Sequence, residues 1–206
     1  MHVEFYDPAS DGWHRGPSLN DGRTFAAIQP CLLTHPGGET QMLCRTRQAT
    51  IGSCRSQDGG KTWSPLEASE LPNPDSGIDA VNLASGHVLL VYNHSQTGRS
   101  PLNLAISSDG KHWSAVGVLE DEPGEFSYPA IIMDTAGRVH VTYTWNRRRI
   151  RHVAFLAEDI RPLPMEHGMW PAGAPKLGAP KLPPSPPKLS RLRRRWRAAV
   201  KPPEMR

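Results

Sequence analysis

The chain reads as an all-β fold built from propeller-type repeats and followed by a non-globular tail, and three observations predict this. Trp13, Trp63 and Trp113 recur 50 residues apart, a period that points to propeller blades. Each closes a turn rich in Ser, Asp and Gly. The intervals hold short segments rich in Val, Ile, Thr, Tyr and Trp, without an amphipathic helical pattern of useful length.

The turns come first. Ser56-Gln57-Asp58-Gly59-Gly60-Lys61-Thr62-Trp63 is complete, Ser107-Ser108-Asp109-Gly110-Lys111-His112-Trp113 is one residue shorter, and Ser10-Asp11-Gly12-Trp13 is a degenerate copy. An aspartate side chain accepts from backbone amides two residues on, glycine supplies positive φ, and the tryptophan is expected to pack the turn onto its sheet. Ser56, Asp58, Gly60 and Trp63, with Ser107, Asp109, Gly110 and Trp113, are therefore expected to be structural.

Strands are expected over 28–34, 40–46, 78–83, 88–94, 102–107, 127–133, 139–145 and 150–155. They are punctuated by His35-Pro36-Gly37-Gly38, Ser85-Gly86 and Thr135-Ala136-Gly137, which suit antiparallel hairpins. After Phe155 the composition changes to Pro, Lys, Arg and Ala. Residues 162–206 hold most of the excess of basic residues behind the net charge of +4, while residues 1–161 are mildly acidic. Prolines at this density oppose both strand and helix, so a disordered tail is expected over 162–206 and a folded body over 1–161.

Cys31, Cys44 and Cys54 are odd in number and lack metal-ligand spacing, so they are read as reduced strand residues, and no metal or cofactor is implied. No apolar run is long enough for a membrane helix and the N-terminus has no secretory pattern, which as written implies a cytoplasmic chain. The arginine run 191–197 around Trp196 suits a polyanion, yet it stands apart from the folded body, so nucleic acid is not the expected partner.

The strings GIDAVNLASGHVLLVYNHS, GRSPLNLAISSDGKHW and SYPAIIMDTAGRVHVTYTW, together with the Asp-boxes, resemble the sialidase (neuraminidase) superfamily with BNR repeats. The resemblance implies a six-bladed propeller of which this chain has room for about three blades, the C-terminal half. It also implies an exo-acting glycoside hydrolase of acidic sugars. Arg45 and Arg99 resemble arginines that hold the substrate carboxylate, and Tyr128 stands where the family's nucleophile stands. Gln29 occupies the place of the glutamate that activates that tyrosine; a glutamine cannot take a proton, which leaves Asp79 or Glu125 to serve as base. The early acid/base aspartate and the first arginine have no counterpart. Three readings stay open: a sialidase-like hydrolase acting on an acidic sugar, a non-catalytic carbohydrate-binding propeller fragment, and a truncated or mis-joined product without activity.

Overall fold

The computed structural model describes residues 1–177. The strands are β1 (His2–Asp7), β2 (Gly12–Ser18), β3 (Ala27–Thr34), β4 (Thr40–Thr46), β5 (Thr50–Ser56), β6 (Glu67–Pro72), β7 (Asp79–Asn82), β8 (Val88–Tyr92), β9 (Leu102–Ser107), β10 (Ser114–Glu120), β11 (Phe126–Met133), β12 (Arg138–Trp145), β13 (Arg149–Leu156) and β14 (Leu163–Pro164). They form four antiparallel sheets that do not close into a barrel: the hairpin β1-β2, then β3-β4-β5-β6, then β7-β8-β9-β10 with β14 added at its outer edge, then β11-β12-β13. Among the described residues the helical content is two short 3₁₀ turns. The all-β expectation holds, and its eight predicted strands are all present.

Side-chain alternation explains how the sheets stack. In β8, Leu89 and Val91 face the cluster shared with the β11-β12-β13 sheet, while Val88, Leu90 and Tyr92 face the one shared with the β3–β6 sheet. β8 is therefore apolar along its whole length and buried on both faces. β9 behaves likewise, sending Leu102, Leu104 and Ile106 one way and Ala105 the other. The first strands of the three larger sheets, β3, β7 and β11, lie side by side, as blades do around an axis.

Both longer Asp-boxes close as turns through their own side chains. Asp58 accepts from the amides of Lys61 at 3.0 Å and Thr62 at 2.9 Å, and from the Thr62 hydroxyl at 2.6 Å. The Thr62 hydroxyl and amide hold its carboxyl down at about 2. Gly60 N donates to Ser56 Oγ at 2.8 Å, and the Trp63 indole donates to Gly60 O at 2.8 Å. In the second box, Gly110 N donates to Ser107 Oγ at 2.8 Å and Asp109 accepts from the amides of Lys111 and His112. Buried Gln41 of the neighbouring sheet donates to Gly110 O at 2.8 Å; with φ +67°, a Cβ at Gly110 would lie 1.9 Å from Gln41 Oε1.

Trp113 is buried, but Trp13 is 72% exposed and sits in the β1-β2 hairpin. The degenerate copy is thus a plain hairpin turn, not a box packed on a sheet. That hairpin instead lays Met1 and Val3 over Met42, Cys44 and Cys54. All three cysteines are free and buried, and burial pushes the thiols of Cys31 and Cys44 up to about 12.

The sequence places residues 162–177 in a disordered tail, and the structure corrects this. Leu163 and Pro164 pair with the edge of β10, Leu177 N donates to Val118 O at 2.9 Å, and Met165 is buried against the core. This stretch covers an outer strand whose backbone groups would otherwise be unpaired. The rest of the predicted tail, 178–206, lies outside the described residues.

Candidate functional site

In an antiparallel sheet read in order, the first and third connections lie at one end and the second connection and the exit lie at the other. The Asp-boxes are third connections. The other end therefore collects Arg47–Ala49, 73–78, 93–101, 121–125 and 146–148, and the predicted site residues gather at this end.

A buried polar frame fixes the loops. Ser76 Oγ donates to Asn93 Oδ1 at 2.6 Å; Asn93 Nδ2 donates to Pro101 O at 2.9 Å and Phe126 O at 3.1 Å. Asn73 Oδ1 accepts from Ser76 N at 2.9 Å, and Asn73 N donates to Ala49 O at 3.1 Å. Asn73, Ser76 and Asn93 are fully buried, so this frame ties three loops to the start of β11.

On this frame, Arg45 at the end of β4 donates through Nη1 to Asp75 O at 2.8 Å and lies 3.6 Å from Asp75 Oδ1 through Nε. Arg99, from the β8–β9 loop, lies 3.8 Å from Glu125 Oε1 and 5.4 Å from the centre of the Tyr128 ring. Arg45 Nε and Arg99 Nη1 make no hydrogen bond within the described residues. The cations are held close to carboxylates that do not saturate them. Glu125 is also taken by Arg147, whose Nε donates to it at 2.9 Å, and this pairing holds the Glu125 carboxyl below its usual range.

Tyr128 is 54% exposed, with φ +51°, and packs beside Gly77, where a Cβ would stand 3.4 Å from its ring. It sits in a bulge: Ser127 pairs with Thr144 and Ala130 with Thr142, so Tyr128 and Pro129 oppose one residue. Gln29 on β3 repeats this arrangement at φ +53°, in a bulge between the pairs Ile28–Arg45 and Pro30–Cys44. Each bulged residue precedes a proline, which has no amide to lose from the ladder. Positive φ in bulky residues costs on the order of 1–3 kcal/mol each and persists where the surroundings impose it.

The structure places Arg99 beside Tyr128 and Glu125, and Arg45 against Asp75, whose loop carries Gly77 next to the Tyr128 ring. Asp79 is tied to backbone: Oδ2 accepts from Ile131 N at 2.8 Å and Oδ1 from Ala80 N at 3.0 Å, stitching β7 to β11. Sequence reasoning missed Asp75 and Arg147. The signals are an Asn-Pro-Asp-Ser-Gly loop at 73–77 and an arginine run at 147–149 between two expected strands.

No curated protein matches the chain. Among solved structures, the chain is similar to the K499G mutant of NanB sialidase from Streptococcus pneumoniae, with TM-score 0.63 and 16% identity over 78% of this chain and 28% of that one. It is similar to the intramolecular trans-sialidase from Ruminococcus gnavus, with TM-score 0.58 and 18% identity over 78% of this chain and 39% of that one. A Dyadobacter fermentans protein of unknown function shares 22% identity at TM-score 0.57, over 70% of this chain and 41% of that one. The chain thus spans less than half the length of these proteins. The family described as BNR repeat-like domain matches residues 1–141, and with its Asp-box turns on stacked antiparallel sheets the chain belongs to that family.

Proposed function

We propose that the chain is a carbohydrate-recognition portion of a sialidase-type propeller, in which Arg45 and Arg99 hold the carboxylate of an acidic sugar against Tyr128. The three larger sheets are on this reading three of six blades. One observation carries the proposal: the Arg99 guanidinium stands 5.4 Å from the ring of the exposed Tyr128, Arg45 is held on the adjoining loop through Asp75, and each guanidinium keeps a nitrogen without a hydrogen-bond partner among the described residues. Such donors match a planar carboxylate, and charge-assisted pairs of this kind are about twice as strong as neutral ones. The similar Ruminococcus gnavus protein is described in complex with oseltamivir carboxylate, and the leech intramolecular trans-sialidase with 2,7-anhydro-Neu5Ac, which supports an acid-sugar ligand. Calorimetric titration with N-acetylneuraminic acid tests this. Binding lost in Arg45→Ala and in Arg99→Ala, with both variants folded, is the expected result; binding unchanged in both refutes the assignment.

Hydrolysis is the second reading, favoured by the strained backbone and the arginine contact at Tyr128. Attack by the phenol oxygen on the anomeric carbon expels the aglycone oxygen, and needs one group to take the phenol proton and another to protonate the leaving oxygen. Gln29 supplies no base, Asp79 is occupied by two amides, and Glu125 by Arg147 and by Ser127 Oγ at 3.3 Å. Turnover on this reading is weak in the chain as it stands. Gln29→Glu is expected to raise release of 4-methylumbelliferone from its sialoside by about a hundredfold, the lower range for a positioned base.

A further inference from the structure

The outward face of the last sheet carries a pair of histidines that the arginine end does not use. In β12, Val139, Val141 and Tyr143 point into the core, and in β13 so does Val153, which leaves the alternate residues His140 and His152 facing outward. The two lie 12 positions apart in the chain, a spacing that signals nothing by itself. Antiparallel register joins them: Thr142 pairs with His152, which sets His140 one diagonal step away on the neighbouring strand.

The geometry of the pair is specific. His140 Nδ1 and His152 Nε2 are 3.0 Å apart, and the ring planes are within 7° of parallel with centres 5.3 Å apart, so the rings meet edge to edge. On its other side, His140 Nε2 lies 3.1 Å from Asp134 Oδ2. A carboxylate only accepts, so His140 carries its hydrogen on Nε2 and turns the Nδ1 lone pair toward His152. Asp134 is itself fixed, because its Oδ1 accepts from the amides of Ala136 and Arg138, each at 2.9 Å. Carboxylate, histidine, then an inward-facing ring nitrogen is the order in which metal-bound histidines are held by their outer partners.

We propose that His140 and His152 bind a divalent transition-metal ion of the kind that prefers imidazole, such as zinc, copper or nickel, with Asp134 as the outer carboxylate. The ion takes the place of the hydrogen shared between the rings. That proton moves to His152 Nδ1, both rings stay neutral, and the two facing nitrogens give their lone pairs to the metal. Zinc–nitrogen bonds of about 2.0–2.1 Å at a tetrahedral angle set two nitrogens about 3.3 Å apart, so the pair opens by a few tenths of an ångström. His152 is exposed, and its ring is free to tilt out of line to allow this. No group of three or more ligating side chains occurs among the described residues, so water fills the remaining positions on the ion. The site is independent of the acid-sugar reading: the β11–β12 turn that holds Asp134 lies at the Asp-box end, and neither arginine nor Tyr128 takes part.

Zinc titration of the full chain at neutral pH, read by calorimetry and by the histidine ring signals in NMR, tests this. The tightest ion is expected to shift the rings of His140 and His152, and the tight binding is expected to be lost in His140→Ala and in His152→Ala. Asp134→Asn is expected to weaken it about tenfold, while the asparagine still accepts from the Ala136 and Arg138 amides and keeps the turn closed. His152→Ala removes an exposed side chain, so its effect is read on a folded protein, checked by an unchanged melt without zinc. His2, 2.9 Å from Glu4, and His112, 2.7 Å from Asp109, are the rival single-histidine sites, and His2→Ala and His112→Ala are expected to leave the affinity unchanged. Absence of zinc binding, loss of it in His2→Ala or His112→Ala, or unchanged affinity in His152→Ala or Asp134→Asn overturns the proposal.

Discussion

The two ends of the stacked sheets are built on opposite principles. At the Asp-box end, polar side chains close local turns: Asp58 and Asp109 each satisfy amides within four residues. At the other end, Arg45 Nε, Asp75 Oδ1 and Arg99 Nη1 are buried without hydrogen bonds among the described residues, and Gln29, Ala49, Asp75, Tyr128, Asn146 and Arg147 all carry positive φ. The first end closes its polar groups locally, while the second combines a long-range Asn73–Ser76–Asn93 frame with unsaturated charged groups and strained backbone.

The sharpest way to break this comparison is at the sound end. Trp113 is 3% exposed and lies in the cluster between the first two larger sheets. Trp113→Ala is expected to cost about 3–5 kcal/mol in denaturant unfolding, a large share of a domain's stability. The arginine end should respond in reverse. Arg99→Ala is expected to weaken N-acetylneuraminic acid binding by about a hundredfold in calorimetry while the melting temperature moves little, because its pair with Glu125 is long and Arg147 still holds that carboxylate.

How legible each end was follows from the same contrast. The Asp-boxes were readable because their hydrogen bonds run between residues close in sequence, so Ser56 and Asp58 announce the turn by themselves. β5 and β6 were not anticipated, since Thr50–Ser56 is rich in Ser and Gly, and Glu67–Pro72 has few β-branched residues; neighbouring sheets, not propensity, make them strands. Arg45, Arg99 and Tyr128 were found through family resemblance, but their joining through Asp75 and Gly77 is a tertiary fact. The Gln29 and Tyr128 bulges share an X-Pro step that is visible in the sequence, yet only pairing register reveals the positive φ. Residues 162–177 were misread because composition alone cannot see that β10 offers an unpaired edge.

A pH titration sharpens the contrast at the end that holds the arginines, where His94 stands in the β8–β9 loop. Burial lowers the His94 imidazole to about 4 from its usual 6.5, so the fold favours the neutral ring. Its stabilising effect is complete above about pH 6.5, where the unfolded chain is also neutral. It is lost as the pH falls toward 4, because the unfolded state takes up the proton first. With partial exposure allowed for, the loss is on the order of 1–2 kcal/mol. Denaturant melts of wild type and His94→Gln between pH 7 and pH 4 check this, the variant being expected to show the shallower pH dependence.

The smallest effect belongs to the turn that looks most conspicuous in the sequence. Ser56 Oγ accepts from Gly60 N at 2.8 Å and donates to Asp58 Oδ1 at 2.8 Å while only 1% of the residue is exposed. Ser56→Ala leaves the Gly60 amide buried without a partner, a cost of about 1–2 kcal/mol. The Asp58 contacts to Lys61 and Thr62 survive and keep the turn closed. Urea unfolding should therefore show a modest drop in midpoint with an unchanged slope, and sugar binding at the far end should not change. A Ser56→Ala protein that lost binding while still folded would mean that the two ends are coupled through β5, and that the division of labour drawn between them is wrong.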